Sequence, residues 1–379
     1  MCGARILMEP ADFEYGERQY SAEDPAGHQW TFSETLADIA PEEWGGISVR
    51  QMSTPSRPGG LGATIAASRP VGDSGLSIPR IALGCGNFGG VGSAPAFFGQ
   101  GLTQDQSLEL MDAAWQFGIT HFDTADAYGG GRSERAIGRW IRSRGVRPLL
   151  TTKTFNPMRA GGDHGLAPDR VARRLEQSLE RLEVGQVDLY LAHDFDPGVP
   201  LAESFSAFEA ALAGGQIRAY GVSNFDPGQL ANALAAGRPH AIQNSYSLLE
   251  RQDERHLLPL CAQHAVAYLA FSPLAGGWLT GKYRRGQRYP AGSRMTQRPE
   301  PYERFLAGPT FDALDRLETM AKRRGTTMAG LAMAWLLADS RVTQIVIGPA
   351  RPEHLEPVGE ALECPVTDAE KAEIERAFT

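Results

Sequence analysis

Residues 187–193, VDLYLAH, and 219–225, AYGVSNF, frame a segment that carries Phe205, Phe208 and Leu212 at helical spacing. Both framing runs are almost continuously apolar rather than alternating, as expected of strands covered on both faces of a parallel sheet. Strand, amphipathic helix, strand is a βαβ unit, and the same reading extends in both directions. Upstream lie Ile81-Ala-Leu-Gly (81–84), THFDTA (120–125) and PLLTTKT (148–154). Downstream lie AIQNSY (241–246), VAYLAFSPL (266–274) and TQIVIG (343–348). A helix-like segment follows each run. TQDQSLELMDAAWQFG (103–118) sets Leu108, Met111 and Trp115 on one face and stops at Gly118. SERAIGRWIRSRG opens on Ser133, a residue suited to an N-cap, and the next helix carries Val171, Leu175, Leu179 and Leu182. Eight such units over about 290 residues predict an α/β fold, the (β/α)8 TIM barrel. The rival is a dinucleotide-binding doubly wound sheet, for which Gly84-x-Gly86-x-x-Gly89 matches the glycine pattern. That motif needs a helix to start at once, and here a long loop intervenes, so the barrel is preferred.

The composition agrees with a large buried core. Of 379 residues, 42% are hydrophobic, and 37 Lys+Arg against 45 Asp+Glu leave a net charge of −8. That balance argues against nucleic acid or an anionic membrane as partner. Cys2, Cys85, Cys261 and Cys364 lie far apart with no C-x-x-C pair, which suits a reducing compartment and offers no metal cage. No apolar run is long enough to span a membrane, and the acidic N-terminus lacks the apolar core of a secretory signal. A soluble, cytoplasmic protein is expected. Residues 1–50 mix aromatics and acids, 51–76 read as a Ser/Gly/Pro-rich linker, and the barrel is expected over 77–379.

Function in such a barrel collects at the C-terminal ends of the strands. There the apolar runs give way to Asp123, Lys153, His193, Ser223, Asn224, Gln243 and Ser272, with Tyr128 just beyond the second strand. A phenol titrates near pH 10, too high for proton exchange near neutrality. A neighbouring ammonium lowers that value, a carboxylate holds the ammonium, and a histidine orients a carbonyl or relays the proton. Asp123, Tyr128, Lys153 and His193 together suggest a general acid that protonates an oxygen while hydride reaches its carbon.

The segments FDTADAYGGGRSE (122–134), TTKTF (151–155), DLYLAH (188–193), GVSNF (221–225), QNSYSLLER (243–251) and FSPLAGGWLTGKY (271–283) resemble, in order and spacing, those of the aldo-keto reductases. Residues 77–379 are closest to the bacterial and potassium-channel-β-subunit-like branch. The resemblance implies carbonyl reduction with a nicotinamide cofactor and a small-molecule carbonyl substrate, without metal. It implies Tyr128 as proton donor, Lys153 and Asp123 as its tuning pair, and His193 as the residue orienting the carbonyl. Ser223, Asn224 and Gln243 would bond the nicotinamide carboxamide, and Phe271 would stack on the ring. Ser272, Leu274 and the stretch from Gly276 to Lys282 would wrap the pyrophosphate. After the eighth strand, IGPARPEHLEPV (347–358) departs from the family: His354 replaces Arg or Gln, and Pro357-Val358 replaces Glu-Asn. Gly348 and Arg351 remain, and Arg351 suits a 2′-phosphate, so NADPH is expected over NADH.

Residues 13–46, FEYGERQYSAEDPAGHQWTFSETLADIAPEEWGG, resemble the C-terminal end of a glyoxalase/bleomycin-resistance-type protein, in which the glutamate matching Glu17 can bind metal. Glu17 and His28 alone cannot make a metal site. The segment reads as a fusion relic or upstream extension, with a hairpin around DPAGH and Met52 as an alternative start. Two other functions stay open at this point: a cofactor-sensing binding subunit, and a Schiff-base aldolase using Lys153. Substrate choice would rest on loops 89–101, 193–200 and 283–305, and Phe97, Phe98, Trp278 and Tyr289 suggest an apolar or aromatic pocket.

Overall fold

The structure, a computed structural model, describes residues 5–12, 17–23, 29–35 and 67–378. Residues Met1–Pro58 and Gly59–Thr379 form two compact units. In the first, strands β1 (Arg5–Asp12), β2 (Glu17–Glu23) and β3 (Gln29–Thr35) make an antiparallel sheet in the order β1-β2-β3. Glu23 pairs with Gln29 across the expected hairpin, whose tip (24–28, with His28) lies outside the described residues, as do Cys2 and Met52.

In the second unit a two-stranded hairpin, β4 (Ser68–Pro70) and β5 (Ser77–Pro79), precedes the barrel. Residues 68–76, the end of the stretch expected as linker, thus belong to this hairpin, and 51–66 lie outside the described residues. Composition concealed this because the segment's few apolar residues do the packing. Val71, Leu76 and Ile78 are buried against Leu189, Leu191, Ala219, Ala241, Ala267 and Leu269, inward-facing residues of the barrel strands.

Eight parallel strands then close: β6 (Ile81–Gly84), β7 (His121–Asp123), β8 (Leu149–Thr154), β9 (Val187–Ala192), β10 (Ile217–Ser223), β11 (Ala241–Ser245), β12 (Ala267–Phe271) and β13 (Val342–Ile347). Each pairs with the next, and β13 returns to β6. The glycine pattern at 84–89 serves this closure rather than a nucleotide loop. A Cβ on Gly84 would stand 2.9 Å from the Ile347 carbonyl oxygen, and Gly89 has φ +67°. Helices α1 (Gln104–Phe117), α2 (Arg132–Arg144), α3 (Pro168–Leu182), α4 (Leu201–Ala213), α5 (Pro227–Ala236) and α6 (Leu257–Gln263) separate successive strands.

The apolar stripes face the barrel, though on α1 the fully buried residues are Leu110, Met111 and Ala114, while Leu108 and Trp115 are half-buried. Ser133 is not an N-cap. Gly131, at φ +85°, occupies that place, and the Ser133 hydroxyl is buried, donating to the Cys85 carbonyl at 3.0 Å. After β12 the chain makes a long excursion through α7 (Arg294–Gln297), α8 (Gly308–Arg324) and α9 (Met328–Ala338). Helices α10 (Glu356–Glu363) and α11 (Asp368–Ala377) follow β13.

Midway up the barrel lies a neutral polar layer. His121 bonds Thr151 Oγ1 at 2.8 Å and accepts from Gln344 Nε2 at 2.8 Å, and burial lowers its pKa to about 4. Below it the hairpin residues seal the floor. Truncating Leu76 to Ala is expected to lower the unfolding free energy by about 2–5 kcal/mol, since the floor cannot collapse into the gap. Urea unfolding followed by tryptophan fluorescence measures this, and an unchanged midpoint would show that the hairpin does not seal the barrel.

Candidate active site

Above the polar layer the strand ends converge on a buried ion pair. Lys153 on β8 donates to Asp123 Oδ1 at 2.5 Å and to the Thr124 carbonyl at 2.8 Å, with Lys153 wholly buried. The third ammonium N–H faces the Tyr128 hydroxyl at 3.5 Å, at the long limit of a hydrogen bond. Gln243 Nε2, from β11 across the barrel, donates to Asp123 Oδ2 at 2.7 Å. Tyr128 opens the short turn after β7, and its ring stands edge-on to His193 at 5.5 Å between centroids. The four residues expected at one site are together.

Their protonation follows from burial. Burial disfavours the Lys153 ammonium, but Asp123 and Tyr128 outweigh it and hold its pKa above the ordinary value. A charged Lys153 is no nucleophile, which removes the basis of a Schiff-base aldolase. Burial raises the Tyr128 phenol, and Lys153 pulls the other way without prevailing. The expected lowering is therefore corrected: desolvation wins, and Tyr128 keeps its proton. Burial, then Lys153, pushes His193 well below its ordinary value, so the imidazole is neutral. His193 Nδ1 is buried without a hydrogen-bond partner.

Ser223, Asn224 and Gln243 form a connected rim. Ser223 Oγ donates to the Gln243 carbonyl at 2.8 Å, and Asn224, at φ +59°, donates to the His193 carbonyl at 2.9 Å. Asparagine tolerates that left-handed backbone better than most residues. With the Asn224 N–H groups on the His193 carbonyl and Ser223 Oγ, and one Gln243 N–H on Asp123, the two amides present acceptor oxygens, which suit the N–H of a carboxamide. Phe271, half-buried, ends β12. Beyond it Ser272, Ala275, Gly276, Gly277 and Gly281 all take positive φ, and such turns expose backbone N–H groups to anions. Leu274 begins the short turn, and Tyr302 packs over Gly276.

Lys282 stands at the end of this run. Partial desolvation and the charges of Arg294 and Arg351 lower its pKa, and Arg351 and Lys282 add to the desolvation that lowers His354. Arg351 is exposed, 3.5 Å from Glu353, just past Gly348. Cations held together against their own repulsion fit a phosphate-bearing ligand. Arg294 belongs to this group and was missed because it sits in a polar excursion with no motif. Asn87 also went unnoticed: it ties the loop after β6 to the Pro349 carbonyl at 2.8 Å, with its Oδ1 buried and unpartnered. Trp278 does not line a pocket. It is fully buried against Tyr283, Phe305 and Phe311, and Tyr289 packs on Tyr283. Phe97 and Phe98 are half-buried in the loop after β6.

Residues 80–378 match the model of the aldo/keto reductase family. The chain belongs to that family. It is accordingly an oxidoreductase acting between carbonyl groups and their alcohols. This reductase is 33% identical over 313 residues to the L-glyceraldehyde 3-phosphate reductase of Escherichia coli K12, covering 78% of this chain and 87% of the relative. It is 29% identical to a probable voltage-gated potassium channel subunit beta of Oryza sativa, covering 75% and 88%. A glycerol dehydrogenase of Gluconobacter oxydans shares the fold with TM-score 0.69 at 28% identity, covering 80% and 92%. No helix among the described residues is long and apolar enough to cross a membrane.

Behind the site, Asp126 is fully buried, and burial and Glu134 raise its pKa from 3.8 to about 7. A raised folded pKa gives stability that is complete below 3.8 and is lost as pH climbs through about 7. The unfolding free energy of the reductase should therefore fall, relative to Asp126→Asn, between pH 5 and 8. Urea titrations across that window test it, and a constant difference between the two proteins would contradict the assignment.

Proposed function

We propose that this reductase converts aldehydes or ketones to alcohols, with Tyr128 donating the proton and NADPH used in preference to NADH. The observation that carries the reading is the Tyr128 hydroxyl 3.5 Å from the buried Lys153 ammonium, which is itself paired with Asp123. A bound dihydronicotinamide supplies the hydride. Tyr128 gives its hydroxyl proton to the carbonyl oxygen, and the charge left on the phenol oxygen faces Lys153. Asp123 keeps Lys153 charged and in place, so the positive charge is preorganised rather than recruited. His193, neutral and edge-on to the phenol, orients the carbonyl oxygen. Ser223, Asn224 and Gln243 hold the carboxamide, and Phe271 supports the ring. Ser272, Leu274 and the turn from Gly276 to Lys282 take the diphosphate, with Gly348 and Arg351 at the adenosine end. The buried, unpaired thiols of Cys85 and Cys261 suit a cytoplasmic enzyme.

Tyr128→Phe removes one hydroxyl and should leave NADPH binding, read by fluorescence quenching, close to wild type. Reduction of 4-nitrobenzaldehyde should drop about 10²- to 10⁴-fold, the usual loss for a general acid. Near wild-type turnover in that variant would sink the mechanism.

The cofactor preference rests on Arg351. Comparing kcat/KM for NADPH and NADH in wild type and Arg351→Ala should show the preference shrinking. An unchanged ratio would assign the 2′-phosphate to other cations.

A further inference from the structure

One cation at the mouth is used neither by the proton-donor group nor by the cofactor cluster. Arg298 follows α7, and its guanidinium lies over the Phe97 ring, 5.4 Å from the centroid. A Cβ on Gly92 would stand 3.4 Å from its Nη1. Phe97 and Gly92 both belong to the loop after β6, so Arg298 reaches from the β12 excursion to the loop beside the proton donor. Gly92 N–H donates to the Gly86 carbonyl at 2.7 Å, and its own carbonyl accepts from Gly129 N–H at 3.4 Å. Gly129 follows Tyr128, and a Cβ on Gly86 would touch the Tyr128 ring at 3.6 Å. The loop that Arg298 touches is thus bonded directly to the turn that carries Tyr128.

Arg298 is half-buried and has no ion-pair partner among the described residues. Arg284 is held by Glu318, Arg285 by Asp312 and Arg304 by Glu250, while the exposed Arg288 and the cofactor-cluster Arg294 also have no ion pair among the described residues. A guanidinium stacked on an aromatic face keeps its N–H edge free for the two oxygens of a carboxylate or phosphate. Leaving that edge unpaired in a partly desolvated place is costly, which points to a ligand that completes it. Arg298 does not figure among the charges acting on Lys282 and His354, which come from Arg294, Arg351, Glu353 and one another, although Arg294 and Arg298 both bear on Tyr302.

We propose that Arg298 binds an anionic group on the substrate, so that the enzyme favours aldehydes or ketones carrying a carboxylate or phosphate ester near the reacting carbonyl. This rests on the reading of Tyr128 as proton donor at the same mouth. The test is steady-state kinetics of the full chain with saturating NADPH. One pair of substrates is 4-carboxybenzaldehyde and 4-nitrobenzaldehyde; the other is glyceraldehyde 3-phosphate and glyceraldehyde.

Arg298→Met should lose about tenfold or more in kcat/KM on the anionic member of one or both pairs, through KM, with the neutral members unchanged. Arg298→Lys should recover part of that loss. A loss confined to the phosphate pair or the carboxylate pair identifies which anion is bound. Equal losses on charged and neutral substrates, a raised KM for NADPH alone, or a variant indistinguishable from wild type would each overturn the proposal. The last result would leave carbonyl reduction standing. A wild-type enzyme that binds NADPH but reduces none of the four aldehydes would instead overturn the underlying function.

Discussion

The Asp123–Lys153 pair is the constraint from which the rest of the site follows. Two full charges sit inside the barrel, and removing either partner from such a pair typically costs about 3–5 kcal/mol because the other is left buried alone. The structure meets the desolvation with complete pairing. Lys153 has three N–H groups and three oxygen neighbours, of which Tyr128 is the most distant. Asp123 has one oxygen on Lys153 and the other on Gln243. Gln243 lies four strands further round the barrel, so the pair is satisfied only when the sheet is closed and in register.

The layers beneath explain the protonation states above. Val71, Leu76 and Ile78 seal the floor, and His121, Thr151 and Gln344 fill the middle with neutral hydrogen bonds. These residues are all buried, so the upper layer is backed by desolvated structure. Desolvation disfavours every charged form it meets unless a partner compensates. Lys153 has Asp123 and stays charged; His193 has no carboxylate and stays neutral; Tyr128 keeps its proton despite the ammonium. Tyr128 is thus protonated in the resting enzyme, as the proposed role of proton donor requires, and the ammonium stands where the charge left by that proton would fall.

Parts of this were readable because parallel strands are nearly all apolar, which makes polar exceptions conspicuous. Asp123, Lys153 and His193 stood out against HFD, LLTTKT and VDLYLA in that way, and the strand limits shifted by only a few residues. What stayed hidden depends on tertiary closure. Ser133 has the chemistry of a cap, yet the left-handed Gly131 before it starts the helix, and the serine turns inward. Trp278 reads as a pocket residue, but the α8 side of the excursion folds over it. The balance at Tyr128 turns on burial, which a list of neighbouring charges does not contain. Arg294 and Arg298 come from a polar stretch without periodicity, and only the path of the chain over the mouth gives them a place.

Outside the strands, a second ionic layer holds the turn that carries Tyr128. The Asp126 N–H donates to the Lys153 carbonyl, and Thr154 Oγ1 donates to Asp126 Oδ2 at 2.9 Å. Arg170 donates to that same threonine oxygen at 3.0 Å, while Glu134 takes Thr152 Oγ1 and Arg181. Lys153 and Thr154 are adjacent on β8, so alternation sends the first inward to the reaction and the second outward to this layer. A shift of the strand would move both. Asp126 Oδ1 is nevertheless left without a partner, and its raised pKa expresses that cost. A fold selected for stability alone would place an apolar residue there. Retaining a carboxyl that bonds the next strand fixes the backbone two residues before Tyr128, and for the proposed proton transfer that is where an error of an ångström would be felt most.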